Sequence, residues 1–518
     1  MKAPLRKWGY PEHQLSESQW SSLKKRISDQ WKPGAAALVS PVIPVSEVNN
    51  KQKDIIRDIF ANITTKRISF RNDKRYYYSI GSNDIFWSHI DEEIRIADAV
   101  IIPVNSKEIQ NILQQAQQHD ISIQAFTRKN ISPRTSFLKN KLYCIISLEQ
   151  MQKIIRFTPE QYQITVQSGI TIHLLQKYLS EHGWHLPYEH SGTEHLSIFE
   201  LLQSETLILP HVVNARIHTP EGEITLSDND SLKSVFLSTR QTWGIHSEVT
   251  FRIYPLPKYL RQADAQIPDL GSATQIIRQL KNSGITFDQI RISDVQPDIL
   301  FPMAEKRSNS NESKDFLQSL LKKSEEILFK DETIRPVSLS LVFYENQYSR
   351  SSALIKAKEI IHHNNGKTVS EDIYSTLKEW TVNYPYFEDE AEENHLDAFH
   401  LFARIPFEKM EEYDREIRKK LQKATYYTGN RMDYHIQFSK FDFPTIQIDF
   451  YFIASKKHRK QADSFIRLQQ YFKEYLQPAY TNPSGHTFSE ELLQLLGNRM
   501  DPKGVLSVRT DAIFNKKV

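Results

Sequence analysis

The stretch SIQAFTRKNISPRTSF (122–137) sets Thr127, Arg128, Lys129 and Asn130 in a loop that a phosphate could reach. Just upstream, ADAVIIPVNSKEIQNILQQAQQHDI reads as a strand, a helix and a return to strand. A loop in that place commonly holds phosphate on bare main chain, which needs glycine for close approach. This one has no glycine. Its two cations can stand in for N–H donors on a diphosphate, but as mobile charges rather than a fixed nest of amides.

Other reactive residue types read more plainly. Ser191 and His195 in SGTEH have nucleophile and base chemistry, but their spacing does not make them a pair. His362 and His363 close a helical stretch, where histidine complements the helix dipole; a metal would need ligands converging from separate elements. The acidic run from Phe387 to Asn394 with His395 is a solvated loop, with cation binding as the alternative. SKKHRK (455–460) is a solvated helix face, or else a patch for phosphate or an anionic membrane surface. Cys144, the single cysteine, lies in the apolar run LYCIIS, so a buried thiol is expected and no disulfide framework exists.

The elements that must position these residues follow from periodicity. AVIIP is a short strand stopped by Pro103. Asn105 or Ser106 can cap the next helix, with Glu108 placed as in a capping box and Ile109, Ile112, Leu113 and Ala116 on one face. YCIISL is a strand; Tyr162, Ile164 and Val166 alternate with polar residues as in a half-buried one. Thr171 opens a helix with Ile172, Leu175 and Leu179 on one face, and Gly183 can close it in the left-handed conformation. VVNARIHTPEGEITL is a hairpin whose Pro220 and Gly222 suit a type I turn. HSEVTFRIYPLP is a strand with Val249, Phe251 and Ile253 on one side, ended by Pro255. From Lys258 onward, helices alternate with antiparallel-type strands, which predicts a second α+β domain with one sheet covered on one face.

Composition bounds the rest. At 518 residues and ~150 per domain, two to four domains are expected. Hydrophobic residues are 39% and charged residues 25%, ordinary for a globular chain. Lys+Arg 66 against Asp+Glu 63 argues against a generic nucleic-acid binder. The first residues lack the apolar core of a secretory leader, and no run of ~18 apolar residues predicts a spanning helix; a cytoplasmic protein is the expectation. Fifteen glycines are under half of the usual ~7%, so few places can bring backbone close to a phosphate.

Motifs across the chain resemble alkyldihydroxyacetonephosphate synthases, within the vanillyl-alcohol-oxidase group that has a PCMH-type FAD-binding domain. They are RKWGYPEH, RYYYSIGSNDIF with DAVIIPVNSKEIQNIL, ISLEQMQKI, ITVQSGITIHLLQKYLSEHGW, TWGIHSEVTFRIYPLPKY, QIRISD and MDPKGVLS, in that order. The resemblance implies an α+β chain: a helical lead-in over 1–65, a PCMH-type FAD-binding domain of two α+β subdomains over 66–258, a cap or substrate domain over 259–460 whose antiparallel sheet is covered by helices, and a C-terminal helical segment over 461–518. It implies FAD, no metal, and flavin-contacting positions at Pro103, Thr127, Arg128, Lys129, Asn130, Trp243, Gly244 and Ile245. Three glycine-rich family segments differ here. The diphosphate loop is Thr127–Asn130. The paired glycines fall on Phe199 and Glu200. Of the third segment's glycines only Gly244 remains.

Arg291 matches the family arginine of the acyl-carbon chemistry and Asp294 its companion; a structural ion pair is the plainer reading of Arg291. The family tyrosine falls at Asp442 or Phe443, and its three consecutive histidines have no counterpart beyond His486. Two functions are therefore expected as alternatives: a non-catalytic relative acting as a binding or partner protein, or an active FAD-dependent synthase with an altered loop. A phosphate-bearing or lipid small molecule, a homodimer, pairing with an active paralogue and peripheral membrane contact are the implied partners.

Overall fold

Capping and burial set the first elements where the sequence puts them. The protein's structure, a computed structural model, describes residues 47–79, 95–126, 141–187, 195–204, 208–227, 236–237, 244–285, 288–294, 336–345, 351–369, 396–422, 429–436, 445–455 and 490–506. These divide into two compact units, one holding the residues up to 256 with 490–506, the other residues 257–455.

In the first unit, helices α1 (Asn50–Ile59) and α2 (Asn72–Ser79) flank β1 (Ile68–Ser69). Strand β2 (Ala99–Ile101), helix α3 (Ser106–Gln118), β3 (Ser122–Ala125) and β4 (Tyr143–Ile146) follow. The sheet order is β1-β2-β4-β3; β2 and β3 run parallel to β4, and β1 is antiparallel to β2. The α3 face predicted from spacing is buried, with Ile109, Ile112, Leu113 and Ala116 inaccessible to solvent. Cys144 is buried in the same core, and burial pushes its thiol well above the ordinary value.

The second layer is β5 (Ile154–Thr158), β6 (Gln163–Gln167), α4 (Ile172–Glu181), β7 (Trp184–His185), α5 (Ile198–Ser204), β8 (Val212–Thr219), β9 (Gly222–Leu226), β10 (Ile245–Arg252) and β11 (Tyr254–Pro255). Strands β5-β6-β10-β8-β9 form an antiparallel sheet. Thr171 caps α4 through the Leu174 N–H, and Gly183 follows it at φ +78°. Two readings need correction. Tyr162 is not a strand residue but a half-exposed turn residue at φ +57°, held by its N–H to the Pro159 carbonyl. Pro255 does not end the chain's extended run: Tyr254–Pro255 pairs with Trp184–His185 as a separate ribbon. Alternation shows neither: Tyr162 closes a local turn over Pro159–Gln161, and the Pro255 ribbon depends on a partner far along the chain.

The second unit is built on one seven-stranded sheet. Its elements are β12 (Tyr259–Ile267), α6 (Leu270–Asn282), β13 (Gln289–Asp294), β14 (Val337–Glu345), α7 (Ser351–His363), β15 (Lys367–Thr368), β16 (Leu396–Pro406), α8 (Met410–Gln422), β17 (Gly429–Ile436) and β18 (Thr445–Ser455). The order is β15-β12-β14-β13-β17-β18-β16, every pair antiparallel. Helices α6 and α7 pack on β12, as expected for a sheet with one covered face. Helix α9 (Glu490–Met500) belongs to the first unit, where Asp501 accepts the Val505 and Leu506 N–H groups (2.7 and 2.9 Å) and Leu506 bridges to Ile123. Among the described residues no helix is long and apolar enough to cross a membrane.

Candidate functional site

Parallel strands bring their carboxyl ends to one edge, the usual place for a ligand in a parallel sheet. In the first unit, Ile101, Ile146 and Ala125 end β2, β4 and β3 in register. Pro103, Ser147–Glu149 and Phe126 therefore share that edge. Pro103 is buried. Thr127, Arg128, Lys129 and Asn130, the predicted phosphate loop, follow Phe126 and lie outside the described residues, as do Trp243, Ser191, His395, Asp442, Phe443, His486 and the basic run after Ser455.

What flanks this edge is acid and aromatic. The Tyr78 hydroxyl donates to Glu149, and the rings of Tyr77, Tyr78 and Phe126 pack together with centroids 4.9–6.2 Å apart. Burial and the Glu149 carboxylate raise the phenol well above its ordinary pKa. The start of α3 is closed by its own side chains. Asn105 accepts the Glu108 N–H (3.0 Å), and the Glu108 carboxylate accepts the Val104 N–H (2.9 Å). Arg67 meets that carboxylate with two bonds of 2.5 and 2.9 Å. Burial works to raise the Glu108 pKa, but the Arg67 and Val104 hydrogen bonds outweigh it and hold it below the usual carboxylate value.

Helix α5 starts at the segment that carries the family's paired glycines. Ser197 and Glu200 form a reciprocal cap: the Ser197 N–H and hydroxyl both donate to the Glu200 carboxylate (2.9 Å each), and the Glu200 N–H donates to the Ser197 hydroxyl (3.2 Å). The Ile198 N–H goes to the Ile170 carbonyl and the Phe199 N–H to the Ser168 carbonyl. Every first-turn N–H from Ser197 to Glu200 thus has a protein acceptor, and the helix end carries a buried carboxylate. The Phe199 ring is inaccessible, packed in the core with Ile146, Leu148, Met151 and Ile245. A diphosphate needs free donors and positive potential at such a terminus, so the described residues of this turn do not fit one.

Among the described residues near this turn, Gly169 and Gly244 serve chain-to-chain contact. A Cβ at Gly169 would sit 1.9 Å from the Leu148 carbonyl oxygen, and one at Gly244 would sit 2.4 Å from Ile217 Cγ2 and 2.9 Å from the His218 oxygen. Ile245 is core.

Sequence reading missed a buried polar chain here. A bulge at Ser247 breaks the register between β10 and β8. It brings the Ser247 hydroxyl 2.8 Å from His218 Nε2, while His218 Nδ1 lies 3.1 Å from Gln110 Oε1. An amide oxygen only accepts, so Nδ1 carries the proton and Nε2 accepts from Ser247. Burial, reinforced by Arg216, pulls His218 down to about 4. The pair has nucleophile–base spacing, but both side chains are buried and the third member is a neutral amide. Nearby His246 is also lowered to about 4 by burial, against the opposing bond to the Phe236 carbonyl.

In the second unit Arg291 sits on β13, buried, opposite Ser340 on β14 and His435 on β17. Asp294 ends the same strand opposite Val337, three positions on and so on the other face of the sheet. His363 Nδ1 faces the Glu359 carbonyl (2.8 Å) and His362 Nε2 the Thr368 hydroxyl (3.3 Å) at the end of α7.

A model for an FAD binding domain matches residues 97–199. A mitochondrial D-lactate dehydrogenase [cytochrome] of Arabidopsis thaliana is 21% identical over 48% of the chain and 44% of its own length. An alkyldihydroxyacetonephosphate synthase of Caenorhabditis elegans is 22% identical over 47% and 44%. The chain thus spans under half the length of these curated relatives. Among solved structures, an alkyldihydroxyacetonephosphate synthase superposes with a TM-score of 0.70 at 16% identity over 95% of this chain and 91% of that one. A 4-ethylphenol oxidase from Gulosibacter chungangensis superposes with 0.63 at 10% identity over 90% and 98%. The protein has the PCMH-type FAD-binding fold, and its resemblance to alkyldihydroxyacetonephosphate synthases, read from the motifs, holds.

Proposed function

We propose that this protein keeps the flavoprotein fold without flavin chemistry and acts as a binding or partner protein. The observation that carries this reading is the start of α5. Its N–H groups are bonded within the protein, Glu200 places negative charge there, and Phe199 fills the core at a position where the family has glycine. Scarcity of glycine supports it, as does the absence from the sequence of the family's tyrosine and histidine triad. A phosphate-bearing or lipid small molecule is the ligand class, and a second copy or an active paralogue the pairing partner.

The second reading, an FAD-dependent synthase of ether-lipid type using an altered loop, is favoured by the domain match over 97–199 and by Arg291. Flavin content separates them. The purified protein is expected to be colourless, to release no flavin fluorescence on denaturation, and to show no thermal shift with added FAD, since a ligand of the folded state raises the melting temperature with concentration. FAD at one per chain establishes the second reading instead.

A further inference from the structure

The five-stranded sheet of the first unit ends on an open strand. β5 pairs with β6 on one side, and no described strand pairs it on the other. Its register shifts at Ile155, between the Ile154–Val166 and Arg156–Thr165 pairs. Ile154 and Phe157 lie opposite Val166 and Ile164, on the face that packs into the core. Arg156 lies opposite Thr165, on the other face. Helix α4 runs along the core side of this strand: the Phe157 ring meets Tyr178 at 5.7 Å and His182 at 5.6 Å. Leu174, one turn before Tyr178, shares that side of the helix.

This edge is apolar and basic at once. Ile155 is 49% exposed and Leu174 42%, with Ile154, Phe157 and Tyr178 half-buried beside the core. Lys153 and Arg156 are exposed along the strand and Lys177 on α4. Among the described residues none of the three has an ion pair. The acids of this stretch stand off the strand: Glu160 in the turn that follows it, and Glu181 at the end of α4.

We infer that the β5 edge takes up an extended segment of a partner protein as an added strand, one that alternates apolar and acidic residues. Main-chain hydrogen bonds satisfy the open edge, and every second side chain supplies specificity. Apolar residues of the added strand pack on the core side, against Phe157, Tyr178 and Leu174. Acidic residues fall on the other side, with Arg156. Charge selects this occupant over a second copy. Two copies pairing about the midpoint of β5 would set Arg156 opposite its own counterpart, and directly opposed like charges repel. An anionic bilayer answers the cations but not the backbone, because open sheet edges do not enter hydrocarbon. Charge and a bulge on an edge strand keep like strands away; here they leave the edge open to an acidic one.

This rests on the partner-protein reading above, and the test keeps the two apart. Fluorescence anisotropy follows the labelled peptide acetyl-EVEVEVE-amide as the full-length protein is added, and flavin is measured in the same sample. The acidic peptide is expected to bind, and its counterpart acetyl-KVKVKVK-amide to bind about tenfold more weakly. Arg156→Glu is expected to weaken the acidic peptide about fivefold, since a cross-strand attraction becomes a repulsion, and to strengthen the basic one. Its melting temperature should hold, because Arg156 is exposed. Two N-methylated forms of the acidic peptide, one methylated at every valine and one at every glutamate, separate strand pairing from charge alone. One is expected to lose about tenfold with its donors to the edge, and the other to keep its affinity. The inference fails if the acidic peptide does not bind, if the basic peptide binds as tightly, if Arg156→Glu leaves affinity unchanged, or if both N-methylated forms bind alike. Self-association that Ile155→Asp abolishes gives the edge to a second copy, and binding to phosphatidylserine vesicles without peptide binding gives it to a membrane; either result overturns the inference. Peptide binding by an FAD-loaded protein overturns only the non-catalytic reading; a colourless protein that binds no peptide overturns only the docking edge.

Discussion

The start of α5 and the rank of Asp264, Ser340 and Arg291 across β12, β14 and β13 are both buried, and both carry charge. They differ in where the polar groups find partners. At α5 the protein supplies them: Glu200 and Ser197 cap each other, and the neighbouring N–H groups reach carbonyls at 168 and 170. In the sheet, Ser340 lies fully buried with its hydroxyl unmatched among the described residues. A terminus that satisfies itself has nothing left for a phosphate, whereas a buried hydroxyl left over in a sheet weakens the fold that holds it.

The comparison can be broken most directly at Phe199. If its ring is core, Phe199→Ala costs about 3–5 kcal/mol in denaturant unfolding. If the position is instead a vacant flavin contact, the Phe199→Gly, Glu200→Gly double variant should gain FAD; the expectation is lost stability and no flavin.

A smaller effect comes from pH. His211, His218 and His246 are each lowered to about 4, burial being the first cause in every case. Their folded pKa lies below the unfolded ~6.5, so the folded state favours the neutral form. Their contribution is fully present above ~6.5 and is lost as pH falls from there toward 4. Melting temperature should decline over that window, and His218→Gln should flatten the decline.

Glu200→Gln should cost about 1 kcal/mol through the weakened cap, with no gain of flavin. The smallest effect is Ser340→Ala: the melting temperature holds or rises slightly, because an unmatched buried hydroxyl is removed. A clear drop would mean that Ser340 is satisfied in the folded protein, and the contrast between the regions would fall.

Much of the fold was legible. The α3 stripe, the Asn105 and Thr171 caps, the turn at Gly183, the hairpin from Val212 to Leu226 and the Val249–Phe251–Ile253 face each rest on residues close in sequence. The candidate site was legible only as a resemblance. Its predicted loop at Thr127–Asn130 lies outside the described residues, and its other parts turned on distant contacts. Tyr162 misled because a local turn interrupts the alternation there, and Pro255 because an alternating pattern does not reveal which neighbour a strand will find.

The sequence by itself determined which segments are helix or strand, which faces are apolar, and that glycine is scarce where a nucleotide fold needs it, because these are properties of a few adjacent residues. Only the tertiary structure decided that β2 and β3 flank β4, that a bulge hands Ser247 to His218, and that Asp264, Ser340 and Arg291 share one rank. Register fixes those meetings, and register is chosen by packing between strands tens of residues apart.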